Sequence, residues 1–221
     1  MSTPSIAQQV DDFNVGFESQ IGDRLAAVFS DEQSALRAAG VPTGALGEGD
    51  VAPDADLVTA DGATITFSSV LGGTATVVVF YRGAWCPYCN ITLRTYQQSL
   101  LPTLEERGAQ LVAISPQTAD GTAQSQSNGS LDFAVLSDPG NVLADRFGIV
   151  TEPSAHAQEA HTELGFAVSD SNADATARVP FPSVYVIDRA GRIRFADVHV
   201  DYTSRTEVAD IVGAVDRLEE S

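Results

Sequence analysis

Thr76-Val77-Val78-Val79-Phe80-Tyr81 runs through Arg82-Gly83-Ala84-Trp85 into Cys86-Pro87-Tyr88-Cys89. The first six residues are β-branched and aromatic, the composition of a short buried strand. From Cys89 onward, apolar residues recur at Leu93, Tyr96, Leu100 and Leu104, in steps of three and four. That spacing is one face of a helix. The two cysteines therefore fall where a strand ends and a helix begins. Pro87 suits the first helical position, where the N–H it lacks has no partner anyway. Cys86 then sits at the N-cap, facing unpaired N–H groups and the positive end of the helix dipole. Both favour the thiolate, which is the nucleophilic form. Cys89 lies about one turn on, within reach of a disulfide. One sulfur can attack, and the other can close the bridge and release what was attacked.

Two plainer readings compete. The cysteines could be small core residues, or half of a zinc site. A zinc site needs two more ligands. The chain offers only His156, His161 and His199, and no third cysteine. Redox use is preferred because the pair falls at a strand-to-helix junction. No metal or nucleotide cofactor is implied.

The chain has 221 residues, 43% of them hydrophobic, enough for one large domain or a domain with an extension. No apolar run reaches membrane-span length, and the N-terminus lacks the pattern of a signal peptide. A cytoplasmic location is expected, where a close cysteine pair is more often catalytic than structural. Thirty acidic residues face twelve basic ones, all arginine, for a net charge of −18. That balance argues against nucleic acid or an anionic membrane as partner.

Residues 5–29 read as a long amphipathic helix, broken near Gly16 or Gly22. Ser30 and Gln33 have capping-box spacing for a second, short helix ending at Gly40. Residues 41–50 read as a linker. This extension, residues 1–46, is too small to bury its apolar face alone. It must pack on the main domain, residues 47–221, or on another copy of the chain, and a homodimer contact is the slightly favoured reading. Asp61-Gly62 between apolar runs signals a hairpin. Pro102 should kink the cysteine helix or split off its last turn. Strands follow at 110–115 and 133–136, with a weakly periodic stretch, 116–130, between them. A turn at Asp138-Pro139-Gly140 leads to a helix closed by Gly148. Residues 150–178 read as an insertion with a short helix and a loop, and His156 and His161 as surface residues. Strands 183–187 and 192–200 form a hairpin. Ser204 and Glu207 have capping-box spacing for a closing helix.

This alternation gives an α/β fold, a central mixed sheet flanked by helices, preceded by a helical extension. A CxxC at the first strand-to-helix junction of such a sheet resembles the thioredoxin fold. In that fold a cis-proline faces the disulfide, and Pro182 matches the place; the alternative is a trans-proline opening an edge strand. Gly49 to Asp54, Phe80 to Asn90, Ala113 to Gln117 and Leu136 to Asn141 are similar to the peroxiredoxin-like branch of the alkyl hydroperoxide reductase/thiol-specific antioxidant family. The resemblance implies Cys86 as attacking cysteine and Cys89 as resolving cysteine. It also implies a hydroperoxide substrate and an external thiol reductant, either thioredoxin-like or of low molecular weight. The chain departs from the family pattern at three positions. Gly83 stands where a threonine or serine is usual, Val79 where a proline is usual, and Pro182 where an arginine is usual.

The expected site is Cys86 and Cys89, lined by Arg82, Trp85, Pro87, Tyr88 and Pro182. Arg82 could hold a thiolate or an oxyanion, or be an ordinary surface arginine. Thiol–disulfide exchange on protein or small-molecule disulfides is the alternative activity. A redox-responsive binding protein without turnover is the alternative outside enzymes.

Overall fold

The computed structural model describes residues 4–219. Two helices come first, α1 (Ile6–Ile21) and α2 (Asp23–Ala39). A hairpin follows, β1 (Asp56–Thr59) and β2 (Thr64–Thr66), then β3 (Ala75–Phe80) and the cysteine helix α3 (Pro87–Thr95). A π turn over Tyr96–Leu100 joins α3 to α4 (Leu101–Glu106). Next are β4 (Gln110–Ser115), α5 (Ala119–Gly129), β5 (Ala134–Ser137) and α6 (Val142–Arg146). The segment after it holds β6 (Val150–Thr151), α7 (Ala155–Glu163), α8 (Val168–Ser171) and β7 (Val179–Pro180). The hairpin β8 (Ser183–Asp188) and β9 (Ile193–Val198) precedes the closing helix α9 (Val208–Glu219).

Seven strands form one mixed sheet in the order β2-β1-β5-β4-β3-β8-β9. β3 lies near its middle, parallel to β4 and antiparallel to β8, and all six of its residues are buried. Successive side chains on a strand point to opposite faces. Val77 and Val79 accordingly join Leu93, Tyr96, Leu104, Ile211 and Val215 on one side. Val78 and Phe80 join Leu57, Leu143, Phe147 and Tyr185 on the other. The sheet is thus covered on both faces, as the order of elements predicts.

Pro102 is accommodated by the π turn. A proline ring clashes with the carbonyl four residues back and offers no N–H, so the helix widens before it and restarts at Leu101. All the apolar positions that define the helix face, from Cys89 to Leu104, are buried.

Three features of the N-terminal region bear on its sequence reading. The break falls at Gly22, one of the two places expected, with φ at +77°, but α2 then runs unbroken to Ala39. Ser30 and Gln33 are therefore mid-helix; the Ser-x-x-Gln spacing is coincidental in a helix already under way. Second, the start of the apolar stripe of α1 packs on the main domain, with Ile6 and Val10 buried beside α3, while Phe13, Phe17 and Ile21 stay partly exposed. Third, Glu207 does not close a capping box with Ser204. Its carboxylate accepts from the backbone N–H groups of Ile6, at 3.0 Å, and Ala7, at 2.8 Å. It thereby caps α1, where orphan donors and the helix dipole favour a negative charge.

Residues 150–178 are more ordered than the sequence suggests, holding two helices and a two-stranded ribbon. The polar stretch 116–130 contains the eleven-residue α5, capped by Thr118. The peptide before Pro182 is trans, as no cis bond occurs among the described residues. β8, which Pro182 precedes, is an interior strand between β3 and β9, so neither sequence reading of this proline holds.

Candidate active site

β3 delivers the chain to a tight loop, 81–86, before α3. Gly83 has φ at +150°, and a Cβ there would meet Trp85 Nε1 at 2.5 Å. A threonine or serine cannot stand at this position without moving Trp85. Val79 stands in an interior strand, in register with both β4 and β8, so a proline there would delete a ladder hydrogen bond. These two departures from the family pattern thus follow from how this loop is built. Gln117, itself buried, pins the loop by accepting from the N–H of Ala84 at 2.8 Å. Asn90 ties it from the other side, donating to the Ala84 carbonyl at 2.8 Å.

Cys86 is the N-cap of α3 and Pro87 its first residue. Both cysteines are free thiols. Each is only 1% exposed, and they face different spaces. Cys86 lines a cavity of about 660 Å³ together with Arg82, Trp85, Pro87 and Tyr88. Cys89 lies behind it, in a small space shared with Tyr96, Arg205 and Thr206. Pro182 lines neither; it borders a third small space with Arg82 and Tyr202.

The surroundings of the two sulfurs differ from what a helix N-terminus alone would give. The Cys86 side chain accepts no capping hydrogen bond from the helix N-terminus. Burial pushes its thiol well above the usual range, and its S–H serves as donor to Cys89. Burial alone would also raise Cys89. The hydrogen bond from Cys86, the Arg205 guanidinium and the backbone N–H of Arg82 outweigh it and bring Cys89 down to about 5. Arg205 Nη2 lies 3.3 Å from the Cys89 sulfur, held by bonds from Nη1 to the carbonyls of Tyr202 and Ser204. The two sulfurs share a hydrogen bond, and the Arg205 guanidinium favours negative charge on the inner one.

Arg82 is 5% exposed, not a surface residue. Its guanidinium is sandwiched between Trp85, at 4.8 Å, and Tyr202, at 4.3 Å. Such contact with aromatic faces stabilises a cation away from water. Tyr88 donates to Asn14 of α1 at 2.9 Å and stands edge-on to Phe13.

Sequence reasoning missed the roof of the cavity. α1 contributes Phe13, Asn14 and Phe17; α2 contributes Phe29 and Gln33; α7 contributes His161. α2 is latched by Arg37 to Asp201 at 2.8 Å and by Glu32 to the Ser154 N–H at 3.0 Å. His156 is exposed, but His161 is buried, its ring against Trp85, Phe29 and Phe166. Burial, then the nearby Arg82, lower its pKa to about 4, so it is neutral at ordinary pH. Arg205, in the loop before α9, carries no local signature. The only hint of it was the missing arginine at position 182, which left a cation to come from elsewhere. Among the described residues, no three His, Cys, Asp or Glu side chains cluster so as to hold a metal ion. No helix among them is long and apolar enough to cross a membrane.

Two close cysteines stand at the head of a helix on a mixed sheet of thioredoxin-like architecture. The model of the AhpC/TSA family matches residues 49–196, and the chain belongs to that family. It is accordingly a thiol-dependent oxidoreductase of the peroxidase type. No curated protein matches it. Solved structures with the same fold include the peroxidoxin BcpB of Mycobacterium tuberculosis, 20% identical, with a TM-score of 0.59, covering 79% of this chain and 97% of that one. AhpC of the same organism is 21% identical, with a TM-score of 0.58, over 79% and 99%. A peroxiredoxin-like protein from Aquifex aeolicus is 15% identical, with a TM-score of 0.61, over 79% and 88%.

Proposed function

We propose that this chain reduces hydroperoxides with Cys86 as the attacking sulfur and Cys89 as the resolving one. The observation that carries the assignment is access: Cys86 alone of the pair lines the cavity, while Cys89 is held behind it by Arg205. Before attack, Cys86 passes its proton to the Cys89 thiolate across their shared hydrogen bond. The Cys86 thiolate then attacks the terminal oxygen of the hydroperoxide. An S–O bond forms, the O–O bond breaks, and the alkoxide leaving group takes up a proton to become the alcohol. Cys86 is now a sulfenic acid. Cys89, having given its proton to the alkoxide and standing again as a thiolate beside Arg205, attacks the sulfenic sulfur. The disulfide forms, and hydroxide leaves with a proton as water. A thiol reductant restores the pair. Arg82, buried, and Arg205, half-buried, supply the positive field that the thiolate and the developing alkoxide need. Arg82, Trp85, Pro87 and Tyr88 shape the approach to the sulfur.

The test is a hydroperoxide consumption assay with single serine variants. Cys86→Ser loses turnover, while Cys89→Ser makes a single turnover and stops at a sulfenic acid that dimedone traps. Full turnover in Cys86→Ser overturns the assignment. Thiol–disulfide exchange is the second reading, favoured by the closeness of the two sulfurs and by Pro182 in place of the usual arginine. Faster oxidation of the reduced pair by a disulfide than by a hydroperoxide would select it. A reducing compartment such as the cytoplasm suits two free thiols this close. A homodimer through the partly exposed end of the α1 stripe is the further reading, and light scattering across a concentration series tests it.

A further inference from the structure

The loop between β9 and α9 is braced by a histidine that the cycle above does not use. His199 directly follows β9, and its N–H donates to the Pro182 carbonyl at 2.9 Å, beside the start of β8. Both ring nitrogens are engaged. Nε2 lies 3.0 Å from Asp197 Oδ2 and 3.1 Å from Thr206 Oγ1, and Nδ1 lies 2.9 Å from Ser204 Oγ. A lone pair on Nε2 would face the carboxylate, so a ring hydrogen stands there. The Ser204 hydroxyl can give to Nδ1 or accept from it, so the brace holds whether the ring is neutral or charged. Thr206 is fixed twice more: its hydroxyl donates to Asp197 at 2.9 Å, and its carbonyl accepts from the Tyr96 hydroxyl at 2.6 Å.

The two residues so held flank Arg205, whose Nη2 lies 3.3 Å from the Cys89 sulfur. An arginine side chain is long and flexible, and among the described residues no carboxylate pairs with this one. Its guanidinium is oriented by the carbonyls of Tyr202 and Ser204, each 2.6 Å from Nη1. Ser204 therefore holds Arg205 with its carbonyl and His199 with its hydroxyl. Besides Cys89, the titratable groups lining the small space behind Cys86 are Tyr81, Tyr96, His199 and Arg205. Among the described residues no carboxylate lines it. The acids of the loop and its flanks are Asp197, Asp201, paired with Arg37 of α2, Glu207, which caps α1, and Asp210 in the first turn of α9.

We propose that His199, anchored by Asp197, is a positioning residue: through Ser204 and Thr206 it sets the loop so that the Arg205 guanidinium lies on Cys89. It makes no hydrogen bond to either sulfur and acts through Arg205. The proposal deepens the reading of Cys89 as the resolving sulfur and rests on that reading for its consequence, because resolution needs the Cys89 thiolate. With the brace gone, Arg205 leaves the sulfur, and the attack of Cys89 on the Cys86 sulfenic acid slows.

The test uses the reduced full chain. Hydroperoxide plays no part, so a failure here and a failure of the peroxidase reading are separable. Thiolate absorbance near 240 nm is followed against pH in His199→Phe, in Asp197→Ala and in each combined with Arg205→Met. His199→Phe should raise the first midpoint of the cysteine pair by about one pH unit, part of what a close cation is worth. Asp197→Ala is the sharper variant because its two effects have opposite signs. Losing a carboxylate's own field favours the thiolate and lowers the midpoint, whereas releasing Arg205 raises it. The expected move is upward. With Arg205→Met already in place, neither substitution should raise the midpoint further, as for residues that act through one group. A midpoint unmoved in His199→Phe, or not raised in Asp197→Ala, overturns the proposal. So does a rise in His199→Phe that survives in full beside Arg205→Met, since the imidazole would then act on the sulfur directly. Should His199→Phe not fold, Asp197→Ala, at a side chain 38% exposed, decides alone and in its double variant.

Discussion

Cys86 and Cys89 are three residues apart on one helix and live in opposite surroundings. The outer sulfur faces a wide cavity of aromatic rings assembled from α1, α2 and α7. The inner sulfur faces the sheet and a guanidinium from the loop before α9. Access belongs to one and charge stabilisation to the other. The lesson is that a cysteine at a helix N-terminus can lie in line with the dipole without a capping hydrogen bond, while a guanidinium from elsewhere addresses its neighbour. The dipole acts at close range, and here a directed hydrogen bond and a cation at 3.3 Å win on the neighbouring turn.

Four experiments would break or sharpen this contrast. The largest effect is on chemistry. Cys86→Ser should lower hydroperoxide turnover by at least about a thousandfold, as for an essential nucleophile. Turnover within tenfold of wild type would move the attack to the inner sulfur. The second concerns the outer surroundings. His161 has a folded pKa near 4, below the usual 6.5, so the unfolded chain binds more protons between those values. Stability linked to this group is full above pH 6.5 and is lost as the pH falls through 4. The loss reaches about 3 kcal/mol at most, by the value of a pKa unit. Urea midpoints at pH 7 and pH 4 should therefore differ more in wild type than in His161→Phe. Equal differences would mean that the imidazole is not desolvated by the cavity.

Third, Arg205→Met removes the cation from the inner sulfur. The thiolate it stabilised becomes less favourable, so the first ionisation of the pair moves up from about 5, by roughly two units for loss of a close opposite charge. Thiolate absorbance near 240 nm against pH reads this, as one macroscopic step of a coupled pair. An unmoved midpoint would strike Arg205 from the account. The smallest effect is on the roof. Glu207→Gln weakens the cap on α1 and should cost about 1 kcal/mol of stability. Cys86 alkylation should quicken alongside it if α1 is what shields the sulfur.

The floor of the site was legible in the sequence and the roof was not. β3, Pro87 and the helix face from Cys89 to Leu104 each announce themselves within a few residues, and the Asp61-Gly62 hairpin does the same. Arg205, His161 and Gln33 reach the site from 33 to 205 along the chain, and nothing in their neighbours predicts it. Two capping-box patterns misled for one reason. Ser30 with Gln33, and Ser204 with Glu207, have the right spacing, but spacing does not say whether a helix is already running or whether a distant helix end will claim the carboxylate. The π turn before Pro102 falls between these cases: the sequence required a distortion, and packing chose which one.

The enclosure of the outer thiol also governs how this protein would be seen in a cell-wide survey of cysteine oxidation. With Cys86 only 1% exposed, a bulky maleimide–polymer tag has almost no surface to meet, so a gel-shift assay would score the reduced protein as blocked. Iodoacetamide, a few atoms in size, would score the same sample as free. The gap between those two readings is a measure of how tightly the helices are shut.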